Sequence, residues 1–222
     1  MDNPWRNISW DNSVAEADRA KLVEIYGSIE AFEQKYFRSN LKLLNVLPEP
    51  YSGNINSKVY CLNMNPGEWV ERFNNNERML KMTIKNLRHE VDDCFWWEKV
   101  RDDDGNPHDG YCWLKLKTHL LENVLGRRPN IFFIEFFPYH SKSGFRFPDT
   151  LPSYEYSNEL IYKAIEEKKT IIIMRQVEKW YNRIPMLRTY PHVKILRSRA
   201  GAWLSPKNMG LEGQEDLVRK IF

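Results

Sequence analysis

The sequence predicts an α/β fold, a three-layer α/β/α sandwich around a central four-stranded, mainly parallel sheet. Four short apolar runs alternate with longer segments whose apolar residues have helical spacing, which is typical of parallel strands joined by helices. The 222 residues, 42% of them hydrophobic, are also enough to bury a sizeable core. We therefore take each predicted element in chain order.

The residues before the first central strand form a distinct stretch. Residues 11–26 and 28–38 have the apolar spacing of helices. Prolines in residues 47–56 exclude a helix there, so this stretch is predicted to lead, extended, into the first strand. We expect an N-terminal helical extension over residues 1–57, packed on a main α/β domain over residues 58–222.

The first predicted strand, residues 59–62, is an unbroken apolar run that ends in a polar turn. Such a run is expected for a strand that is covered on both faces. In the turn, Pro66 fixes its own φ and Gly67 permits a positive φ, so the backbone can bring the Asn65 amide close to a bound group. An ordinary strand-ending turn has the same composition.

Three further strands and their helices complete the predicted fold. The loop between the helices predicted over residues 77–91 and 111–125 contains Phe95, Trp96 and Trp97. These side chains either line a site or tuck under their own loop. Helices are predicted over residues 77–91, 111–125, 154–167, 176–182 and 213–221, and strands over residues 130–137, 169–174 and 192–196.

Polar side chains follow the first, second and fourth strands, at the sheet edge where α/β folds bind ligands. Glu135 breaks the apolar run of the second strand, and a carboxylate is costly to bury there unless it is paired or meets a ligand. His140 in the next loop is either a hydrogen-bonding loop residue or a catalytic acid or base. The polar residues expected to converge at this edge are Asn63, Asn65, Glu135, Tyr139, His140, Ser198, Arg199, Ser205 and Asn208.

Charge is distributed unevenly along the chain. Residues 1–110 carry 14 Lys and Arg against 19 Asp and Glu, whereas residues 111–222 carry 19 against 11. The basic second half suggests an anionic partner, although the same excess can lie on solvated helix faces.

Location and cofactor use are predicted from what the sequence lacks. No stretch approaches the roughly 20 apolar residues of a membrane span, and the N-terminus has no secretory signal, so a cytoplasmic protein without a membrane partner is predicted. Cys61, Cys94 and Cys112 are odd in number and widely spaced. We expect them to be reduced, buried thiols, with no metal and no cofactor.

The run Leu62-Asn-Met-Asn-Pro-Gly67 resembles the Gly-x-Asn-Pro-Gly motif of the uracil-DNA glycosylase superfamily, particularly its mismatch-specific branch. The resemblance covers about residues 58–210 and implies that family's four-strand fold. It implies that Asn65 lies beside the water that attacks the sugar carbon. It also implies that Glu135 stands near the position of the family's base-reading residue, late in the second strand. The region of Ser198 and Ser205 stands where the family has the loop that grips the DNA backbone.

The resemblance predicts a divergent enzyme that hydrolyses the N-glycosidic bond of a damaged or modified base in DNA. An ionised Glu135 accepts hydrogen bonds and donates none, so it would suit a base edge with amino or imino donors rather than uracil. Either Trp69 or Tyr139 can stack on the base. The expected base or ligand contacts are Asn63, Met64, Pro66, Gly67, Trp69, Glu135, Tyr139 and His140, with Asn65 catalytic. The expected phosphate contacts are Lys142, Ser198, Arg199, Ser205, Lys207 and Asn208.

A second hypothesis is a protein of the same fold that binds a nucleic acid, or a small nucleotide-like ligand, without cutting it. Fold does not determine chemistry, so both hypotheses stay open at this point.

Overall fold

The computed structural model describes residues 2–74, 76–142, 148, 150–198 and 200–222. Its centre is a five-stranded sheet in the order β1-β3-β2-β4-β5. β2, β3, β4 and β5 run parallel, and β1 pairs antiparallel with β3 at one edge. The strands are β1 (Tyr51–Ser52), β2 (Val59–Leu62), β3 (Ile131–Ile134), β4 (Thr170–Ile173) and β5 (Val193–Ile195).

The predicted α/β fold with a mainly parallel sheet is confirmed, but the described residues form five strands instead of four. The additional strand, β1, has only two residues and follows Pro50, so it carries neither the length nor the alternation by which a strand is recognised in a sequence.

Local sequence signals mark several helix ends. The Ser28 hydroxyl accepts a hydrogen bond from the Ala31 N–H at 3.1 Å and so caps a helix. Gly126, with φ +66°, ends another in the left-handed region. None of the described helices combines the length and apolar character needed to cross a membrane. The helices are α1 (Glu16–Tyr26), α2 (Ile29–Lys35), α3 (Glu77–Leu87), α4 (Asp109–Leu125), α5 (Ser153–Glu166), α6 (Val177–Arg183) and α7 (Glu215–Ile221).

Helices cover both faces of the sheet. Tyr60 and Leu62 of β2 belong to an apolar cluster with residues of α1, α2, α5 and α6. Val59 and Cys61, the alternate residues of β2, belong to a second cluster with residues of α4 and α7. This alternation follows from strand geometry, in which successive side chains point to opposite faces.

The first 57 residues share their core with the rest of the chain. Trp5, Leu22 and Phe32 lie in the same apolar cluster as Tyr60, and β1 itself falls within this stretch. The helices expected to form an extension therefore pack as part of one layer of the fold.

The cysteines differ in exposure. Cys61 and Cys94 are free and buried, as predicted, whereas Cys112 is free and exposed, so the prediction was wrong for that residue. It lies on α4, a helix with one face against the sheet and the other in solvent.

Gly53 is expected to tolerate no side chain. Its φ is +112°, and a Cβ atom there would overlap the carbonyl oxygen of Ile131 on β3. Gly53→Ala should lower the free energy of unfolding by about 3 kcal/mol, because neither backbone can move without disturbing the sheet. Gly27→Ala is the matched control, since Gly27 has φ +86° but open space around it, and we expect a loss of only about 1 kcal/mol there. Equal losses in urea denaturation would contradict this explanation.

Candidate functional site

A cavity of about 740 Å³ lies where β2, β3 and β4 end. Its walls include Asn63 and Asn65 after β2, Glu135 after β3 and Arg175 after β4. Parallel strands present their carboxyl ends at one edge, where the loops diverge and leave a cleft. The sequence-predicted residues that line this cavity are Asn63, Met64, Asn65, Pro66, Gly67, Trp69, Glu135, His140 and Lys142.

The loops after β2 and β3 are held together by backbone hydrogen bonds at three levels. Gly67, with φ +92°, turns the first loop so that its carbonyl oxygen meets the second. The amide nitrogens of Asn63, Phe137 and Ser141 donate to the carbonyl oxygens of Ile134, Met64 and Gly67 at 2.9, 2.9 and 2.8 Å, respectively. These hydrogen bonds therefore hold the two loops that form opposite sides of the site.

The side-chain amide of Asn65 has a fixed orientation. Its Nδ2 donates to the carbonyl oxygen of Ser141 at 2.8 Å and to the Ser141 hydroxyl at 3.0 Å. A carbonyl oxygen accepts but cannot donate, so the amide nitrogen must be the atom that faces Ser141. The Asn65 Oδ1 atom is left without a partner among the described residues and can accept a hydrogen bond from a ligand or a water.

Glu135 forms a side-chain pair with Asn63 in the cavity wall. The Asn63 Nδ2 donates to Glu135 Oε1 at 3.0 Å, whereas Oε2 is buried and has no hydrogen-bond partner within the described part of the chain. Burial raises the pKa of Glu135 to about 8; the Asn63 hydrogen bond opposes this increase and the charge of Glu49 adds to it.

This pKa corrects the expectation of an ionised Glu135. At neutral pH the carboxyl group is mostly protonated, and because Oε1 accepts from Asn63, the proton belongs on Oε2. A protonated carboxyl donates one hydrogen bond and also accepts, as a side-chain amide does. The stated conflict between Glu135 and a carbonyl-bearing base edge therefore disappears.

His108 is a cavity residue that the sequence did not single out. Its Nδ1 accepts the Gly110 N–H at 3.0 Å, so the neutral ring carries its proton on Nε2. Burial lowers the pKa of His108 to about 3, which keeps the ring neutral. The ring stacks on Trp97, with centroids 4.3 Å apart, and both residues line the cavity.

The aromatic loop that contains Trp96 and Trp97 is both buried under its own chain and in contact with the cavity. Trp96 stacks beneath Trp97 at 3.6 Å between centroids, and both are buried. Trp97, however, also forms part of the cavity wall.

His140 lies against a second carboxylate of the cavity, Glu49. The His140 Nδ1 is 3.2 Å from the carbonyl oxygen of Gly67, which can only accept, so Nδ1 carries a proton. The His140 Nε2 atom is 3.5 Å from Glu49 Oε1, and the two side chains are 5% and 13% exposed. The pair is therefore positioned by the same loop that presents Asn65.

The mouth of the cavity carries charges of both signs. Lys142 and Arg175 are its lysine and arginine, whereas its acidic residues besides Glu135 are Glu49, Glu68, Glu71 and Asp109. Asp109 is paired with Arg72 at 2.7 Å. The described lining thus contains no continuous strip of positive charge.

Several predicted contacts lie away from the cavity. Tyr139 is fully buried and donates its hydroxyl to Asp18 at 2.9 Å, so it is a core residue and does not face the cleft. Asn208 instead organises its own loop, accepting the Ser198 N–H at 2.6 Å. The residues after β5 that are absent from the cavity wall are Ser198, Ser205, Lys207 and Asn208. Arg199 lies outside the described residues.

Arg175, Glu49 and His108 are among the cavity residues that the sequence analysis did not predict. Arg175 directly follows the third predicted strand, the one strand whose loop was left out of the predicted edge. Glu49 stands between two prolines before β1, and His108 precedes α4, so neither follows a parallel strand.

Comparisons with protein-family models, with curated proteins and with solved structures found no match to this chain.

Proposed function

We propose that this protein hydrolyses the N-glycosidic bond of a modified base in nucleic acid, with the base held in the cavity at the ends of β2 and β3. The observation that carries the proposal is Asn65, whose amide nitrogen is anchored on Ser141 while its carbonyl oxygen, in the cavity wall, has no partner among the residues that the structure describes. An oxygen in this position can orient a water molecule toward the sugar carbon.

The chemistry assigned to Asn65 is positioning. An amide is a poor base, so it accepts a hydrogen bond from the water and directs the oxygen lone pair at the sugar carbon. The transition state has positive charge on the sugar and negative charge on the departing base, so donors that face the base stabilise it. The Glu135 carboxyl and the His108 Nε2–H are such donors.

Base recognition follows from the same groups. A protonated Glu135 offers a donor and an acceptor side by side, which complements a base edge that carries a carbonyl beside an N–H. Trp69, 7% exposed, provides an aromatic wall, and stacking on an aromatic side chain is worth about 1 to 3 kcal/mol per base.

The second candidate is a protein that binds a small nucleotide-like ligand without cutting it. The acidic residues of the cavity lining favour this alternative, because Glu49, Glu68 and Glu71 outnumber Lys142 and Arg175 and oppose the approach of a phosphate backbone. The excess of basic residues in the second half of the chain favours the nucleic-acid partner instead.

Asn65→Ala tests the proposed hydrolysis. The substrates are four oligonucleotides, which contain uracil, a thymine mismatch, hypoxanthine or xanthine. Wild type should generate alkali-labile abasic sites in at least one of them. Loss of the water-orienting oxygen should lower the rate of base release by about 100-fold, with little change in binding. The measurement is strand cleavage after alkali under single-turnover conditions.

Asn182→Ala is the matched control, since Asn182 is exposed on α6 and does not line the cavity. It should release base at the wild-type rate. If wild type produced no abasic site from any of the four substrates while still binding one of them, the second candidate would replace the first.

A further inference from the structure

Three tryptophans form walls of the cavity. Trp97 is covered on both faces, by Trp96 and by His108, and presents only its edge. Trp69 is 7% exposed, and Trp113 is half-buried at the start of α4. The ammonium of Lys117 lies 5.8 Å from the centroid of the Trp113 ring, so a cation already sits beside one of these rings. Tryptophan attracts cations through the negative face of its ring more strongly than other aromatic side chains do.

A largely buried carboxylate, that of Glu49, adds to this attraction. Glu49 is 13% exposed, and within the described residues its one ionic contact is with His140 at 3.5 Å, with no lysine or arginine paired to it. Its charge reaches the ligand space, because it raises the pKa of Glu135 and outweighs the opposing effect of Arg175. Glu68 and Glu71 add negative charge at the mouth.

We propose that the cavity is selective for a base that carries a positive charge, such as an N-alkylated purine. Because it concerns the same cavity, this selectivity rests on the proposed function and specifies its substrate class. The rings of Trp69 and Trp113, together with the largely buried Glu49 carboxylate, which has no lysine or arginine partner among the described residues, complement a flat cation better than a neutral base.

Charge on the base also fits the catalytic groups. In an N7-alkylated guanine nucleotide, the electron pair of the bond between C1′ and N9 passes to the base and neutralises it. The oxygen of the Asn65-oriented water bonds to C1′, and the proton that this water loses goes to solvent. No acid is needed to protonate the leaving base, so a positioned water suffices, as the amide chemistry of Asn65 requires.

The test compares three nucleosides by quenching of the protein's tryptophan fluorescence in mildly acidic buffer, in which the alkylated base keeps its charge. N7-methylguanosine should bind about tenfold more tightly than guanosine. C8-methylguanosine, which has the methyl group without the charge, should bind no better than guanosine. Equal affinity for the three, or no binding of any, would overturn the inference.

The variant Glu49→Gln should lose most of the preference for N7-methylguanosine, since it removes the buried charge and keeps the shape. Glu215→Gln is the control, because Glu215 is exposed on α7 and does not line the cavity. It should retain the preference. A preference that survives Glu49→Gln would refute the role given to that carboxylate.

Base release from an oligonucleotide that contains N7-methylguanine separates this inference from the proposed function. Selective binding of the cationic nucleoside without base release would reject hydrolysis and keep the charge selectivity. Release of neutral bases as fast as that of the cationic base would keep hydrolysis and reject the charge selectivity.

Discussion

Glu135→Gln should remove a loss of stability that the wild-type protein suffers as the pH rises toward 9. In the folded protein, burial raises the pKa of Glu135 to about 8 from its ordinary value of 4.5. A raised pKa means that the folded state holds this proton more tightly than the unfolded chain does. Its stabilising effect is therefore complete below about pH 4.5 and is lost as the pH rises through about 8.

The size of this effect follows from the change in pKa. One unit corresponds to 1.36 kcal/mol, so the free energy of unfolding falls by as much as about 5 kcal/mol over this range. For a chain of 222 residues, this is a decrease in Tm of roughly 10 °C or more. Glutamine keeps the acceptor for Asn63 and has no proton to lose, so Glu135→Gln should show a nearly flat profile over the same range.

Thermal unfolding from about pH 5 to 9 measures the difference. Glu178→Gln is the control, because the Glu178 side chain is 74% exposed and pairs with Arg188 on the surface. It should follow the wild-type curve. Parallel curves for wild type and Glu135→Gln would mean that the Glu135 carboxyl is ionised throughout this range, and the donor role in base recognition would fail with it.

The sequence predicted the two central strands, β2 and β3, well because each is a short, apolar and fully buried run. Covering both faces of such a strand requires apolar residues at every position, as in Val59–Leu62 and Ile131–Ile134. The same rule predicted which edge holds the cavity, and Asn65 and Glu135 both line it. For a residue directly after a buried parallel strand, position along the chain is therefore enough to predict that it lies at the edge where the cavity forms.

Chemistry that depends on burial was beyond the sequence. The protonation of Glu135 arises from desolvation, which outweighs the opposing hydrogen bond from Asn63, and both quantities need coordinates. An aromatic side chain such as that of Tyr139 can stack on a base, but the Tyr139 hydroxyl donates a hydrogen bond to a buried acceptor on α1. That acceptor, Asp18, lies 121 residues away in sequence, so no local pattern reveals the contact.

Asp18→Ala is expected to destabilise the fold more than any other change in the N-terminal stretch. Asp18 is fully buried and accepts three hydrogen bonds, from the Ser153 hydroxyl at 2.6 Å, the Ser153 N–H at 2.8 Å and the Tyr139 hydroxyl at 2.9 Å. Burial raises the pKa of this carboxyl, and the three donors oppose that change. Alanine would leave all three donors buried without an acceptor, at a cost of about 3 to 5 kcal/mol.

Tyr139→Phe is the matched comparison, because it removes one donor to the carboxylate, together with the acceptor of the Ala15 N–H at 3.3 Å, and leaves the carboxylate bonded to Ser153. We expect it to cost about 1 kcal/mol, and urea denaturation of both variants gives the contrast. The difference matters for the cavity, since the Asp18 network joins α1 to the loop after β3, which also carries His140 and Ser141. If Asp18→Ala were no more costly than Tyr139→Phe, the two Ser153 hydrogen bonds would add nothing to stability, and the cost given for three unsatisfied donors would be wrong. If neither variant were less stable than wild type, the Asp18 network would not be stabilising the loop after β3. Among the described residues, the anchor of the Asn65 amide on Ser141 would then depend on the backbone hydrogen bonds between the two loops.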